Sequence, residues 1–370
     1  LKIAINCRSC LNPSYTGIGR YTYHLIKALG EIDRENTYVL YARKGPFDFR
    51  KKVPFFAAKN VSVRADHFKA GPRKLLKDCA LYHAPGPEVI GFDSPPSVVT
   101  LHDLIFKTYP KGHTASTIQA TEQQLASILR HSAKIICASQ STFNDLKTYF
   151  PEAGEKAAVI YEAVDGDIFY PLGDGEKKEA AAVLKDRGVT GPYILFVGTI
   201  EPRKNLANLL RAFMFLKEQK KFNGKLVVVG MKGWMSGWLE MLLDQLKVRG
   251  EVIFPGYLSN RELRYFYAQA EVYVFSSFYE GFGLPILEAM ACGAPVITSN
   301  VSSCPEVAGG AALTVDPHDL KALTEAMAAV INDKALKEDL RQKGFRRVKD
   351  FSFRKMAEET LEVYKEVAKR

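Results

Sequence analysis

The stretch that decides the fold is Val272-Tyr273-Val274-Phe275-Ser276-Ser277-Phe278-Tyr279-Glu280-Gly281-Phe282-Gly283-Leu284-Pro285-Ile286-Leu287-Glu288-Ala289-Met290-Ala291-Cys292-Gly293-Ala294-Pro295. Its first four residues are all β-branched or aromatic and read as a strand. A polar, glycine-containing loop follows, and the apolar run from Pro285 to Cys292 reads as a helix. Pro285 suits a first turn, where its missing N–H costs nothing, and Gly293 suits the left-handed position just past the end. Gly281 and Gly283 let the backbone approach a ligand closely. The amides of Phe282, Gly283 and Leu284 at the helix start then form an anion site favoured by the helix dipole, and a pyrophosphate fits it. Glu280 and Glu288 flank that site. A carboxylate beside phosphate is repelled unless it accepts hydrogen bonds, and sugar or ribose hydroxyls are natural donors to it. The competing reading makes Glu280 a helix-dipole partner and Glu288 a buried ion-pair member.

Working outward, the same alternation continues in both directions. Strands are expected at Tyr193–Val197, Lys225–Val229, Val252–Phe254 and Pro295–Thr298, with helices at Leu206–Lys217 and Trp238–Val248. Earlier in the chain, strands are expected at Ile3–Asn6, Thr37–Tyr41, Val98–Thr100 and Lys134–Ala138, with helices at Gly19–Leu29 and Ser116–His131. Such alternation implies right-handed crossovers and parallel sheets. At 370 residues the chain is too long for one ordinary core. Composition shifts to Pro, Gly, Lys and Glu over Tyr170–Asp186, which reads as a linker running into a charged helix. The expected class is α/β, with two Rossmann-like, doubly wound parallel-sheet domains facing an interdomain cleft. Residues 1–170 form the first, 171–351 the second, and 352–370 a C-terminal helix crossing back to the first. Ligands of such sheets sit beyond the carboxyl ends of the strands, so the loops right after strands are where chemistry is expected.

Three more such loops carry candidate groups. After Tyr193–Val197 comes Gly198-Thr199-Ile200-Glu201-Pro202-Arg203-Lys204-Asn205. Lys204 and Arg203 stand near a helix start, where the dipole disfavours cations unless an anion lies between. His102, in Leu101-His102-Asp103-Leu104, can hydrogen-bond a substrate hydroxyl or phosphate, although a lone histidine is as often a satisfied interior residue. Gly17 lies in Tyr15-Thr16-Gly17-Ile18-Gly19-Arg20-Tyr21, whose glycines permit close approach but do not complete a GxGxxG fingerprint. No GxxxxGK[ST] or GxSxG occurs, which disfavours P-loop hydrolysis and α/β-hydrolase chemistry. Cys7 and Cys10 make a lone CxxC with no second pair, so no metal site is expected.

The formal charge is +10, and eleven basic against two acidic residues fall between Arg43 and Lys77. Five phenylalanines (Phe47, Phe49, Phe55, Phe56, Phe68) are interleaved with them. Such a segment suits an anionic partner, an acidic lipid surface or a phosphorylated acceptor; the plain alternative is a solvated face with its apolar side chains turned inward. No apolar run reaches the roughly 18 residues that cross a bilayer, and Leu1–Asn6 reads as a strand rather than a signal peptide. A cytoplasmic location is expected, with the Arg43–Lys77 segment in peripheral contact with the inner face of the membrane.

Together the four loops resemble the retaining, family 4 glycosyltransferases of group 1, which have the GT-B fold. Glu280 and Glu288 look like that family's E-x7-E motif, the Gly198–Asn205 loop like its phosphate-binding lysine loop, His102-Asp103-Leu104 like its first-domain histidine, and Gly17 like its glycine loop. The resemblance implies that Glu280 contacts sugar hydroxyls, Glu288 the ribose, and Lys204 with Arg203 the diphosphate. Phe282, Gly283 and Leu284 would offer amides, with Gly281 and Gly198 allowing close approach. His102 would touch the sugar, Gly17 would approach the phosphate, and Gly256, Tyr257 and Leu258 would lie by the base. Where many members carry an Arg after the glycine matching Gly198, this chain has Thr199. The implied reaction moves a hexose from a nucleotide-sugar donor to a glycan or lipid-linked acceptor, with no metal and no cofactor. The wording of the Thr199–Asn205 loop resembles mannosyltransferase-like members, which favours GDP-mannose over a UDP-sugar. Remaining alternatives are a phosphorylase or epimerase of the same fold, and a non-catalytic anion- or nucleic-acid-binding protein; no nucleic-acid partner is expected.

Overall fold

The computed structural model describes residues 1–11, 17–43, 52–67, 71–86, 95–112, 115–230 and 237–369. The chain divides into two compact units, Leu1–Ala163 with Phe351–Arg370, and Val164–Asp350. The first break therefore falls some residues before the Pro- and Gly-rich stretch. There Asp165 starts a turn in which its carbonyl accepts from Ile168 and Phe169.

The first unit holds one seven-stranded sheet: β1 Lys2–Asn6, β2 Thr37–Arg43, β3 Val61–Asp66, β4 Leu81–Ala84, β5 Ser97–Leu101, β6 Ser132–Cys137 and β7 Ala157–Val159. Every pairing is parallel, in the order β3-β2-β1-β4-β5-β6-β7. The central strands are buried along their length, as a parallel sheet covered on both faces requires, and this is why they read as unbroken apolar runs. On one face Tyr21, Leu25, Ile26 and Leu29 of the Gly17–Ile32 helix join Ile3, Ile5 and Leu40. Met356, Ala357 and Tyr364 of the Phe353–Ala368 helix fill the same core, so the C-terminal helix belongs to the first unit. Ser352 caps that helix, its hydroxyl accepting from the Lys355 amide at 3.1 Å. Leu125, Ile128, Ile135 and Leu146 pack on the other face.

The second unit has β8 Tyr193–Val197, β9 Lys225–Val229, β10 Val252–Ile253, β11 Val272–Phe275, β12 Val296–Ser299 and β13 Leu313–Val315, all parallel in the order β10-β9-β8-β11-β12-β13. Counted from its own first strand this is 3-2-1-4-5-6, the doubly wound order. The order reverses between β8 and β11, and that is where a crevice opens beyond the strand ends. Phe196, Leu209, Phe213, Val228, Val274, Ile297 and Met327 form its core. Phe213 is fully buried, and its loss to Ala is of the kind that costs about 3–5 kcal/mol. Gly230, right after β9, is required by packing: a Cβ there would sit 1.9 Å from the Gly198 carbonyl oxygen.

One polar cluster lies inside the first core. His83 on β4 bonds the Tyr364 hydroxyl through Nδ1 at 2.6 Å and the Thr100 hydroxyl through Nε2 at 2.9 Å. The Tyr21 hydroxyl meets Thr100 at 3.1 Å. Burial, with a smaller push from the charge on His102, lowers the His83 pKa to about 3. An unfolded histidine titrates near 6.5, so between pH 6.5 and 3 the unfolded chain binds the extra proton and stability falls as pH falls, by about 1.4 kcal/mol per unit. Thermal unfolding at pH 6.5 and pH 5 should therefore show a smaller acid loss for His83→Gln than for the unsubstituted chain, by about 2 kcal/mol. Equal losses in the two proteins would show that His83 is not the group being titrated.

Candidate functional site

In the second unit the two loops flanking the switch point come together. The Gly198–Asn205 loop leaves β8 and the Ser276–Gly283 loop leaves β11. Lys204 Nζ lies 2.7 Å from Glu280 Oε1, and an Arg203 guanidinium nitrogen lies 2.8 Å from Glu280 Oε2. Arg203 also donates to the Tyr279 carbonyl at 2.9 Å and to Glu201 at 2.5 Å. Lys204 Nζ stands 4.9 Å from the centre of the Phe275 ring. Burial would raise the Glu280 pKa, but the charges of Lys204 and Arg203 outweigh it and hold the carboxylate below its ordinary range.

Local geometry explains why the cations face inward. Asn205 adopts a left-handed conformation, φ 58°, between the short turn Pro202–Lys204 and the Leu206–Glu218 helix. Its side-chain amide donates to the carbonyls of Ser276 at 2.9 Å and Pro317 at 2.8 Å. The Phe278 amide donates to the Arg203 carbonyl at 2.9 Å. The Glu280 loop is tied from its other side by the segment after β12. The Glu280 amide donates to the Ser302 hydroxyl at 3.0 Å, and the Ser303 hydroxyl is placed to donate to the carbonyls of Glu280 at 3.0 Å and Phe282 at 2.6 Å. The helix runs Leu284–Ala291, starting one residue before Pro285, because Gly283 takes φ +111° as its N-cap.

Glu288 is buried on that helix and accepts from the Tyr267 hydroxyl at 3.1 Å. Tyr273, on β11, meets the Tyr267 ring edge-on at 5.2 Å. Burial, then the charges of Glu288 and Glu280, raise the Tyr273 pKa, so its phenol lies within the field of both carboxylates. The competing reading of the two acids is thus half met, with the roles exchanged: Glu280 is the ion-pair member and Glu288 takes a phenol. Gly256, Tyr257 and Leu258 follow β10; Leu258 turns inward, whereas the Tyr257 ring is exposed. Thr199 is exposed beside Gly198.

The first unit holds His102 and Gly17. His102 Nδ1 donates to Glu162 Oε1 at 2.8 Å and Nε2 to the Pro85 carbonyl at 2.8 Å. Gly17 is the first residue of its helix rather than part of a loop, and Tyr15 and Thr16 lie outside the described residues. Cys7 and Cys10 are buried, and each thiol bonds a backbone carbonyl. Asp165-Gly166-Asp167 has the D-x-D spacing common in metal-using transferases, which corrects the expectation that the sequence holds no Asp-x-Asp motif. Here Asp165 accepts from the Asp167 amide at 3.0 Å in a turn, and among the described residues no three His, Cys, Asp or Glu are grouped to hold a metal. Within the basic segment, Arg64 is neutralised by Asp78 at 2.6 Å, while Lys44, Phe47, Phe49, Arg50, Lys51, Phe68 and Lys69 lie outside the described residues. Among the described residues no helix is long and apolar enough to cross a membrane.

The sequence reading assigned no role to Asn205, Ser302, Ser303, Tyr267, Tyr273 or Glu162. For Ser302 and Ser303 the signal was available, since they follow a strand as the other site loops do. The tyrosines and Glu162 carry none, because their partners are distant in sequence.

Backbone turns, two buried carboxylates and two cations thus gather at the switch point of a doubly wound sheet, where ligands of such sheets bind. Residues 182–347 match the family described as glycosyl transferases group 1, and residues 15–168 match glycosyltransferase family 4. The chain is similar to the O-antigen chain mannosyltransferase B of Escherichia coli, 30% identical over 372 residues that span 95% of this chain and 96% of that protein. It also matches the serotype-specific mannosyltransferase WbdA of Escherichia coli, 31% identical over 62% of this chain and 28% of WbdA. The sucrose-phosphate synthase of Thermosynechococcus elongatus has the same fold, with TM-score 0.77 at 23% identity over 99% of this chain and 98% of that one. The chain belongs to the family 4, group 1 glycosyltransferases. It is an enzyme with the GT-B fold.

Replacing Glu280 by Gln would leave Lys204 and Arg203 without their shared counter-charge. Stability should drop by about 1–3 kcal/mol, read by thermal unfolding in buffer free of phosphate. An unchanged Tm would mean that the pair is not held in solution.

Proposed function

We propose that this chain transfers mannose from GDP-mannose to a glycan or lipid-linked acceptor in the synthesis of a cell-surface polysaccharide, with retention at the anomeric carbon. The observation that carries this reading is the meeting of Lys204 and Arg203 with Glu280 across the β8–β11 switch point. The near full-length similarity to an O-antigen mannosyltransferase supports the sugar and the pathway.

In this reading the donor diphosphate replaces Glu280 as the partner of Lys204 and Arg203. Those cations, with the amides of Phe282, Gly283 and Leu284, would neutralise the charge that grows on the leaving group, so that neither metal nor cofactor is needed. Glu280, released, would accept from sugar hydroxyls. Glu288 would accept from the ribose while Tyr267 fixes its other contact. The exposed Tyr257 ring would lie by the base, and His102 would act at the transferred sugar. The acceptor's lipid would be approached through the basic segment, where Phe55 is 88% exposed beside Lys52 and Lys59. This reading carries the expected location with it, at the inner face of the cytoplasmic membrane.

Two measurements test it. Thermal shift against a panel of sugar nucleotides should give its largest rise with GDP-mannose, about 2.7 kcal/mol at a hundredfold excess over Kd. A larger rise with a UDP-sugar would reassign the donor, and no rise with any sugar nucleotide would overturn the reading. Lys204→Ala and Glu288→Ala should each lower mannosyl transfer at least about tenfold; rates within about twofold would remove both residues from the site.

A further inference from the structure

His102 differs from most histidines in what its two nitrogens meet. Nδ1 faces the Glu162 carboxylate and Nε2 faces the Pro85 carbonyl, both at 2.8 Å. The Pro85 carbonyl can only accept, so Nε2 carries a hydrogen; opposite an ionised Glu162, Nδ1 carries one as well, and the ring is then an imidazolium. Glu162 is itself buried, in the segment after β7 and next to Ala163, where the first stretch of the first unit ends. A carboxylate in such a place is stable when ion-paired, and among the described residues His102 is the cation it touches. The other groups around the ring are Tyr21 from the Gly17–Ile32 helix, its ring edge-on at 5.0 Å, Asp103 beside it in the chain, and His83 on β4. Burial alone would favour the neutral ring, but the Glu162 hydrogen bond and charge, helped by Pro85 and Asp103, raise the His102 pKa above its ordinary value. His83 is affected in the opposite way, its neutral form favoured by the charge on His102.

We propose that Glu162 is a positioning residue for sugar transfer, holding His102 as a fixed cation that has no free lone pair and cannot take the proton of the acceptor hydroxyl. This rests on the reading above that His102 acts in transfer. In that role His102 stabilises negative charge through the positive charge of its ring, both N–H groups being engaged by Glu162 and Pro85, and the proton of the acceptor hydroxyl passes to the departing diphosphate of the donor. Glu162 acts through His102 and touches neither donor nor acceptor.

The test is Glu162→Gln, which keeps the shape of the side chain and removes its charge. In the unsubstituted enzyme, the ring nitrogens of His102, assigned by NMR with His102→Gln as reference, should both be protonated at pH 7.5. In the Gln variant the ring should be neutral at that pH. With GDP-mannose as the donor probe, kcat of the variant should fall at least about tenfold at pH 8, and the loss should shrink as the pH is lowered towards about 6, where protonation of a histidine without its partner begins to return. Glu162→Asp should restore most of the loss at pH 8. A merely structural role for Glu162 predicts losses that do not depend on pH. A neutral ring in the unsubstituted enzyme at pH 7.5, or the same His102 titration in both proteins, would overturn the proposal even if the variant proved unstable. Should His102→Ala transfer mannose at the wild-type rate while the NMR titration shifts as expected, the assigned role of His102 fails, and that of Glu162 in the reaction fails with it.

Discussion

Lys204 and Arg203 reach Glu280 from loops that leave two adjacent parallel strands, and much of the second unit is arranged so that this contact can form. Parallel strands cannot be joined by tight turns, so each is followed by a helix on one face or the other. Between β8 and β11 the order of the sheet reverses, and their loops depart to opposite sides. The space left is bounded by backbone. Lys204, Arg203 and Glu280 meet there, fastened by Asn205 on one side and by Ser302 and Ser303 on the other. Glu280 thus supplies the counter-charge of Lys204 and shares Arg203 with Glu201.

The first unit handles charge by a different device. His83 lies on β4 and is fully buried, His102 follows the neighbouring strand β5 and is partly buried, and their surroundings shift them in opposite directions. His83 is surrounded by hydroxyls of Tyr364 and Thr100, which serve a neutral ring. His102 is bracketed by a carboxylate and a carbonyl, which serve only a charged one. Identical side chains are separated by the chemistry of their immediate partners. Tyr364 comes from the C-terminal helix, so a residue near the chain's end helps set the state of a strand near its beginning.

The alternation of strands and helices was legible because parallel strands buried on both faces are written as short β-branched runs. Tyr193–Val197, Lys225–Val229 and Val272–Phe275 have the same limits in the sequence and in the structure. The edge strands β3 and β7 of the first unit were not legible. β3 lies inside the basic segment, with Ser62 and Val63 exposed, and β7 has three residues without a fully buried side chain. The loops of the site were legible through glycines, prolines and the rule that ligands gather at strand ends. Their internal pairing was not. Glu280 was read as a partner of sugar hydroxyls, and nothing in its local spacing announces two cations 76 residues or more away.

By itself, then, the sequence determined the two-sheet architecture, the positions of the ligand-facing loops and the family to which the chain belongs, since periodicity and turn chemistry are local properties. Tertiary structure decided which charges meet: Glu280 with Lys204 and Arg203, Glu288 with Tyr267, His102 with Glu162. Those choices depend on distances of a few ångströms between segments remote in the chain, and on a burial that makes an unpaired charge costly. Neither quantity is carried by any single stretch of residues.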